Sequence, residues 1–150
     1  MINIAICDDD AEARSQIKDH LNQYRKKHSV SFEILTFKSG EDFLGNYPEN
    51  LDILLLDIKM NALSGMDIAR HIRNFDENLC IIFISNMPQF ALEGYQVHAF
   101  SFMVKPFTYQ RFEREISSAL DKIKPAQEKL VARTKNGYVS ISPKDIYFIE

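Results

Sequence analysis

The chain has 150 residues, 45% of them apolar and 26% charged, with a formal net charge of -3. That length accommodates one full domain and perhaps a fragment of another, and the apolar share is enough for a real core. The weak negative charge argues against a nucleic-acid wrapper. No apolar run is long enough for a transmembrane helix and no signal-peptide pattern is evident, so a cytoplasmic protein is expected.

Ile2–Cys7 is a short apolar run that predicts a first buried strand, and it ends in Asp8-Asp9-Asp10. Asp9 or Asp10 can cap a following helix whose Ala13, Ile17, Leu21 and Tyr24 share one face. That helix ends in Arg25-Lys26-Lys27-His28, basic residues suited to a helix C-terminus. Phe32–Phe37 alternates as a second strand, and Ser39 can cap a short helix carrying Phe43 and Leu44. Leu51–Asp57 is an aliphatic run, interrupted by Asp52 and ending in Asp57, which fits a strand buried on both faces. Taken alone, Asp57 is equally a functional carboxylate or a cap for the next segment.

After a polar loop around Asn61–Gly65, Ile68, Ala69 and Ile72 mark a third helix. Leu79–Ile84 is a fourth strand leading to Ser85, and a weakly patterned helix follows Pro88 through Phe90, Ala91 and Leu92 to Gly94. Ala99–Val104 is a fifth strand leading into Lys105-Pro106. Phe112, Ile116, Leu120 and Ile123 then predict a fifth amphipathic helix. Cys7 and Cys80 fall in strand-like runs without a CxxC or a nearby His, and read as reduced, buried thiols.

Strands alternating with helices predict a doubly wound α/β domain, flavodoxin-like, with a parallel five-stranded sheet in the order 2-1-3-4-5. The strand-terminal residues Asp8, Asp9, Asp57, Ser85 and Lys105 then share one edge. Three neighbouring carboxylates repel one another unless a cation compensates, and magnesium suits hard oxygen ligands. Lys105 and Ser85 are the types that hold phosphate oxygens, and a carboxylate can itself accept a phosphoryl group.

These residues carry a family resemblance. Residues 1–122 resemble the receiver domain of two-component response regulators, the CheY-like fold. The signs are the Asp8-Asp9 pair, Asp57 ahead of Gly65, Ser85 ending strand 4 and Lys105-Pro106 ending strand 5. The resemblance implies that Asp57 is the phosphoacceptor. It implies Mg2+ held by Asp8, Asp9, Asp57 and the backbone carbonyl of Lys59, with Asp8 acting largely through water. It also implies Ser85 as switch hydroxyl, Lys105 as phosphate-pairing cation, Phe102 as switch aromatic, and a cis Lys105–Pro106 peptide. Phe102 has no hydroxyl, so a switch there works by ring burial. Lys59 and Met87 occupy the positions that tune acyl-phosphate lifetime, and neither activates water.

Residues 1–122 carry 13 Lys/Arg against 18 Asp/Glu, whereas residues 123–150 carry 5 against 3. The shift coincides with Lys124-Pro125-Ala126-Gln127-Glu128, so residues 123–129 are expected to form a linker. Lys129–Thr134 and Tyr138–Ile141 alternate around Asn136-Gly137, a hairpin signal, and Asp145–Glu150 begins another apparent strand. This short β tail, residues 130–150, resembles the opening of a LytTR-type DNA-binding domain. A regulator truncated at the start of its output domain is therefore expected, too short by itself to bind DNA specifically.

The resemblance implies a sensor histidine kinase as phosphoryl donor, a homodimer, transcriptional output through DNA in the full-length protein, and no turnover enzyme. The alternatives are a stand-alone or degenerate receiver acting through protein contacts, and an aspartyl-phosphate phosphatase or phosphotransferase. The last would want a second acid two residues after Asp57, where Lys59 stands.

Overall fold

The computed structural model describes residues 1–135, with side chains through residue 123. The elements are β1 (Ile2–Cys7), α1 (Ala11–His28), β2 (Phe32–Phe37), α2 (Gly40–Gly45), β3 (Ile53–Leu56) and α3 (Gly65–Arg73). They continue as β4 (Cys80–Ser85), a 3-10 turn (Pro88–Phe90), α4 (Ala91–Gln96), β5 (Ser101–Val104) and α5 (Tyr109–Lys135). The chain divides into two compact units, Met1–Glu113 and Arg114–Glu150, and the sheet belongs to the first.

The sheet has five parallel strands in the order β2-β1-β3-β4-β5, as the alternation of elements predicts. Its centre is the most apolar part of the chain for a physical reason. Every residue of β3 and β4 is buried, because helices cover both faces of a parallel sheet and leave no side for polar alternation. The register pairs Cys7 with Leu56, Leu56 with Phe83, and Ser85 with Val104. The carboxyl ends of β1, β3, β4 and β5 therefore lie along one edge.

Local signals set the helices that frame this edge. Asp10 caps α1, its side chain accepting from the backbone of Glu12, and Ile17, Leu21 and Tyr24 form the buried stripe. Ser39 caps α2 through the Asp42 N–H. Ser64 and Asp67 form a reciprocal capping box at α3, which satisfies two otherwise orphaned donors. Gly65 is there because of space: a Cβ at this position would lie 2.0 Å from the carbonyl oxygen of Asp57. The start of α3 is thus pressed directly against the backbone of Asp57, the residue that follows β3.

Three expectations are corrected. The helix after Pro88 does not stop at Gly94 but begins as a 3-10 turn and runs on to Gln96. Gly94 is buried facing the Phe83 ring, so packing outweighs its low helix propensity. Among the described side chains of α5, Phe112, Ile116 and Ala119 are buried, with Leu120 and Ile123 only half-buried. Finally, Lys129–Thr134 is helix rather than strand, because α5 runs without a break through residues 123–129 and on to Lys135. Ala, Gln, Glu, Lys, Leu and Arg dominate that stretch, and their helix propensity outweighs the one interior proline, Pro125. The rest of the expected β tail, with Asn136-Gly137 and Asp145–Glu150, lies outside the described residues. Among the described residues no helix is long and apolar enough to cross a membrane.

Candidate functional site

The candidate site is built where β1 and β3 stop. The Asp8 N–H donates to the Phe37 carbonyl at 3.1 Å, and the Asp57 N–H donates to the Cys7 carbonyl at 3.0 Å. The sheet ladder thus extends one residue past each strand and fixes the backbone of both acids. Asp8 is 1% exposed and Asp57 7%, whereas Asp9 is exposed on the turn between β1 and α1. Ligand oxygens of Asp8, Asp9 and Asp57 all lie within 4.8 Å of one another.

Lys105 enters from the end of β5, after its backbone N–H has bonded to the Ser85 carbonyl at 2.9 Å. The Lys105–Pro106 peptide is cis, as the resemblance implies. Lys105 Nζ lies 2.9 Å from Asp8 Oδ2 and 3.6 Å from Asp57 Oδ1. The ammonium therefore bonds Asp8 and only approaches Asp57. A groove of about 590 Å3 opens beside it, lined in part by Asp10, Gln16, Asn86, Lys105 and Phe107.

This arrangement is electrostatically unbalanced, with three carboxylates sharing one nearby ammonium. Burial, and then the charge of Asp8, pushes the Asp57 carboxyl up to about 6, against the pull of Lys105 and of the Ile58 N–H. Burial alone would lower Lys105, but the Asp8 hydrogen bond and the Asp57 charge carry its ammonium above the ordinary value. Cys7, beneath the site, is pushed up to about 12 by burial and by the surrounding carboxylates. It is a buried thiol, in keeping with its bland sequence reading.

The donor set suits a small, hard divalent cation: three carboxylates close together, all oxygen, with room at the exposed Asp9 for retained water. Of the other residues singled out in the sequence, Ser85 is fully buried, and its Oγ accepts from the Met87 N–H at 3.1 Å. Phe102 lies back along β5, paired with Phe83, its ring half-buried and 6.0 Å from that ring. Lys59 is exposed in the loop after β3, two residues past Asp57.

One contact at the site has no counterpart in the sequence reading. Arg14 Nη1 donates to the Asp8 carbonyl at 2.7 Å. The available signal was a basic residue in the first turn of α1, where the helix dipole favours acids.

Residues 4–117 match the family model for the response regulator receiver domain. The chain belongs to the response regulator receiver family. This receiver chain is 28% identical over 156 residues to the sensory transduction protein LytT of Oceanobacillus iheyensis, covering 98% of this chain and 62% of that protein. It is 24% identical over 158 residues to LytT of Bacillus subtilis, covering 99% and 64%. The transcriptional regulatory protein YpdB of Escherichia coli is 30% identical over 105 residues, covering 69% and 41%. The receiver chain thus spans under two-thirds of the length of the LytT proteins it matches.

Among solved structures, the receiver resembles a response regulator receiver domain protein from Clostridium thermocellum. The TM-score is 0.70 at 27% identity, covering 83% of this chain and 98% of that one. It also resembles TrrA of Thermotoga maritima, solved in complex with Mg2+ and a beryllium fluoride. That TM-score is 0.69 at 25% identity, covering 79% and 99%.

Proposed function

We propose that the receiver accepts a phosphoryl group on Asp57 from a sensor histidine kinase and passes the resulting change to an output domain. The observation that carries this reading is the meeting of Asp8, Asp9 and Asp57 oxygens within 4.8 Å, with Lys105 Nζ 3.6 Å from Asp57. Three acids beside one half-buried ammonium make a poor salt bridge but a good cradle for a divalent cation and a phosphoryl group.

In this reading an Asp57 carboxylate oxygen attacks phosphorus, the new O–P bond forms, and the P–N bond to the donor imidazole breaks. The imidazole leaves with the electron pair and takes up a proton. The donor approaches along the groove beside Lys105. Asp8, Asp9, Asp57 and the Lys59 carbonyl would hold Mg2+, with Asp8 largely through water, and the ion would supply charge neutralisation for the acids and the transferring oxygens. Lys105 pairs one phosphoryl oxygen. Ser85 gives up its contact with the Met87 N–H and turns its hydroxyl toward another. The β4–α4 segment follows, and the half-buried Phe102 ring moves inward.

The relatives named for sensory transduction and transcriptional regulation support a LytTR-type output in the longer protein, with dimerisation on DNA as its readout. The test is incubation with acetyl phosphate and Mg2+ followed by intact mass measurement. One added phosphate, absent in Asp57→Ala and absent without Mg2+, is the expected result. No addition, or turnover of the donor without an accumulated adduct, overturns it.

A further inference from the structure

We propose that Arg14 is a positioning residue for the acidic turn, holding Asp9 where it faces Asp57 and thereby setting the affinity of the site for Mg2+. The inference rests on the metal-binding reading above.

The turn from β1 into α1 is Asp8-Asp9-Asp10, and the structure grips it from both sides. The Asp10 N–H donates to Asp8 Oδ1 at 2.9 Å. The Arg14 backbone N–H donates to the Asp10 carbonyl at 3.0 Å as the first rung of α1. The Arg14 guanidinium reaches back over the same turn to the Asp8 carbonyl at 2.7 Å. One residue therefore holds the carbonyls before and after Asp9. Asp9 itself is exposed, so the placement of its carboxylate depends on the rigidity of the turn that presents it.

A solvated surface arginine does not account for this placement. Arg14 is half-buried, and it sits in the first turn of a helix, where the dipole disfavours a cation. A short hydrogen bond from an ionised donor is among the stronger kinds available and compensates that position. Partners that orient ligands to a metal set its affinity without touching it, and their loss costs tenfold or more.

Charge and geometry make opposite predictions here. As a nearby cation, Arg14 repels Mg2+, so its removal would tighten binding. As a clamp on the turn it presents Asp9, so its removal weakens binding.

The test is calorimetric titration of the whole chain with Mg2+ alone, for wild type, Arg14→Ala and Arg14→Lys, with thermal melts in chelator to verify folding. Weakening on the order of tenfold is expected for Arg14→Ala, with Arg14→Lys recovering most of it through a single donor. Arg14→Met, which keeps the aliphatic stem, replaces Arg14→Ala if the latter does not fold. Binding by the neutral variant as tight as wild type or tighter overturns the proposal. Wild type that binds no Mg2+ at millimolar concentration overturns the metal reading itself, an outcome distinct from the first.

Discussion

Replacing Asp57 with Asn tests the electrostatic account most sharply, because it removes an ionisable group while keeping the shape. The carboxyl rises from an ordinary value of 3.8 to about 6 in the metal-free fold, chiefly through burial and the charge of Asp8. The folded chain therefore holds the Asp57 proton more tightly than the unfolded chain, and ionisation disfavours folding. The stability linked to that proton is fully present below 3.8 and is lost as pH rises through about 6. A difference of roughly two units corresponds to about 3 kcal/mol, an order-of-magnitude figure that Asp57's near-complete burial leaves largely unscreened. Asp57→Asn should match wild type near pH 4 and exceed it by about 3 kcal/mol near pH 7.5, both in chelator. Urea unfolding followed by circular dichroism at the two pH values measures the difference. Added Mg2+ should shrink the gap by stabilising the wild-type carboxylates. An Asn variant no more stable than wild type near neutral pH, or one whose gain is the same at both pH values, would refute the reasoning.

Other predictions follow from particular contacts. Lys105→Ala removes the cation that lowers the Asp57 carboxyl, so the pH profile of phosphorylation by acetyl phosphate should move to higher pH and its rate near neutrality should fall. An unmoved profile counts against the pairing. Arg73 donates to four backbone carbonyls, those of Val97, Asp76, Leu79 and His98. Arg73→Ala should cost about 2–4 kcal/mol in chemical unfolding, and Arg73→Lys should recover less than half, since one ammonium cannot serve that fork. Lys59 and Met87 offer no group to activate water, so phosphorylated wild type should retain its phosphate for minutes or longer in magnesium buffer. Loss within seconds contradicts that assignment of the two positions.

Much of this architecture is legible in the sequence because its signals are redundant. Ile53–Leu56 and Cys80–Ser85 are buried on both faces, and such strands are written as near-continuous apolar runs. Once the order of a parallel sheet is set, its strand ends have nowhere to go but a common edge. Asp8, Asp57 and Lys105 therefore meet although up to 97 positions separate them. What the sequence conceals is decided by reach and by competition. That Lys105 bonds Asp8 at 2.9 Å and merely approaches Asp57 at 3.6 Å depends on less than an ångström of reach in a flexible side chain. The Arg14 contact with a backbone carbonyl leaves no trace in hydrophobic periodicity. α5 runs past Pro125 because one proline breaks a pattern on paper more readily than it breaks a helix surrounded by strong helix formers. The Ser85 hydroxyl, bonded to the Met87 N–H, shows a conformational state that residue identity alone does not encode.

The most direct measurement is to locate the phosphate by chemistry. Protein treated with acetyl phosphate and Mg2+ is reduced with borohydride, which converts an aspartyl phosphate to homoserine, then digested and sequenced by mass spectrometry. The account predicts homoserine at position 57 alone, dependent on both Mg2+ and donor. Homoserine at position 8 or 9 instead, or at no position in protein that binds Mg2+, would contradict the assignment of Asp57 as the phosphoacceptor.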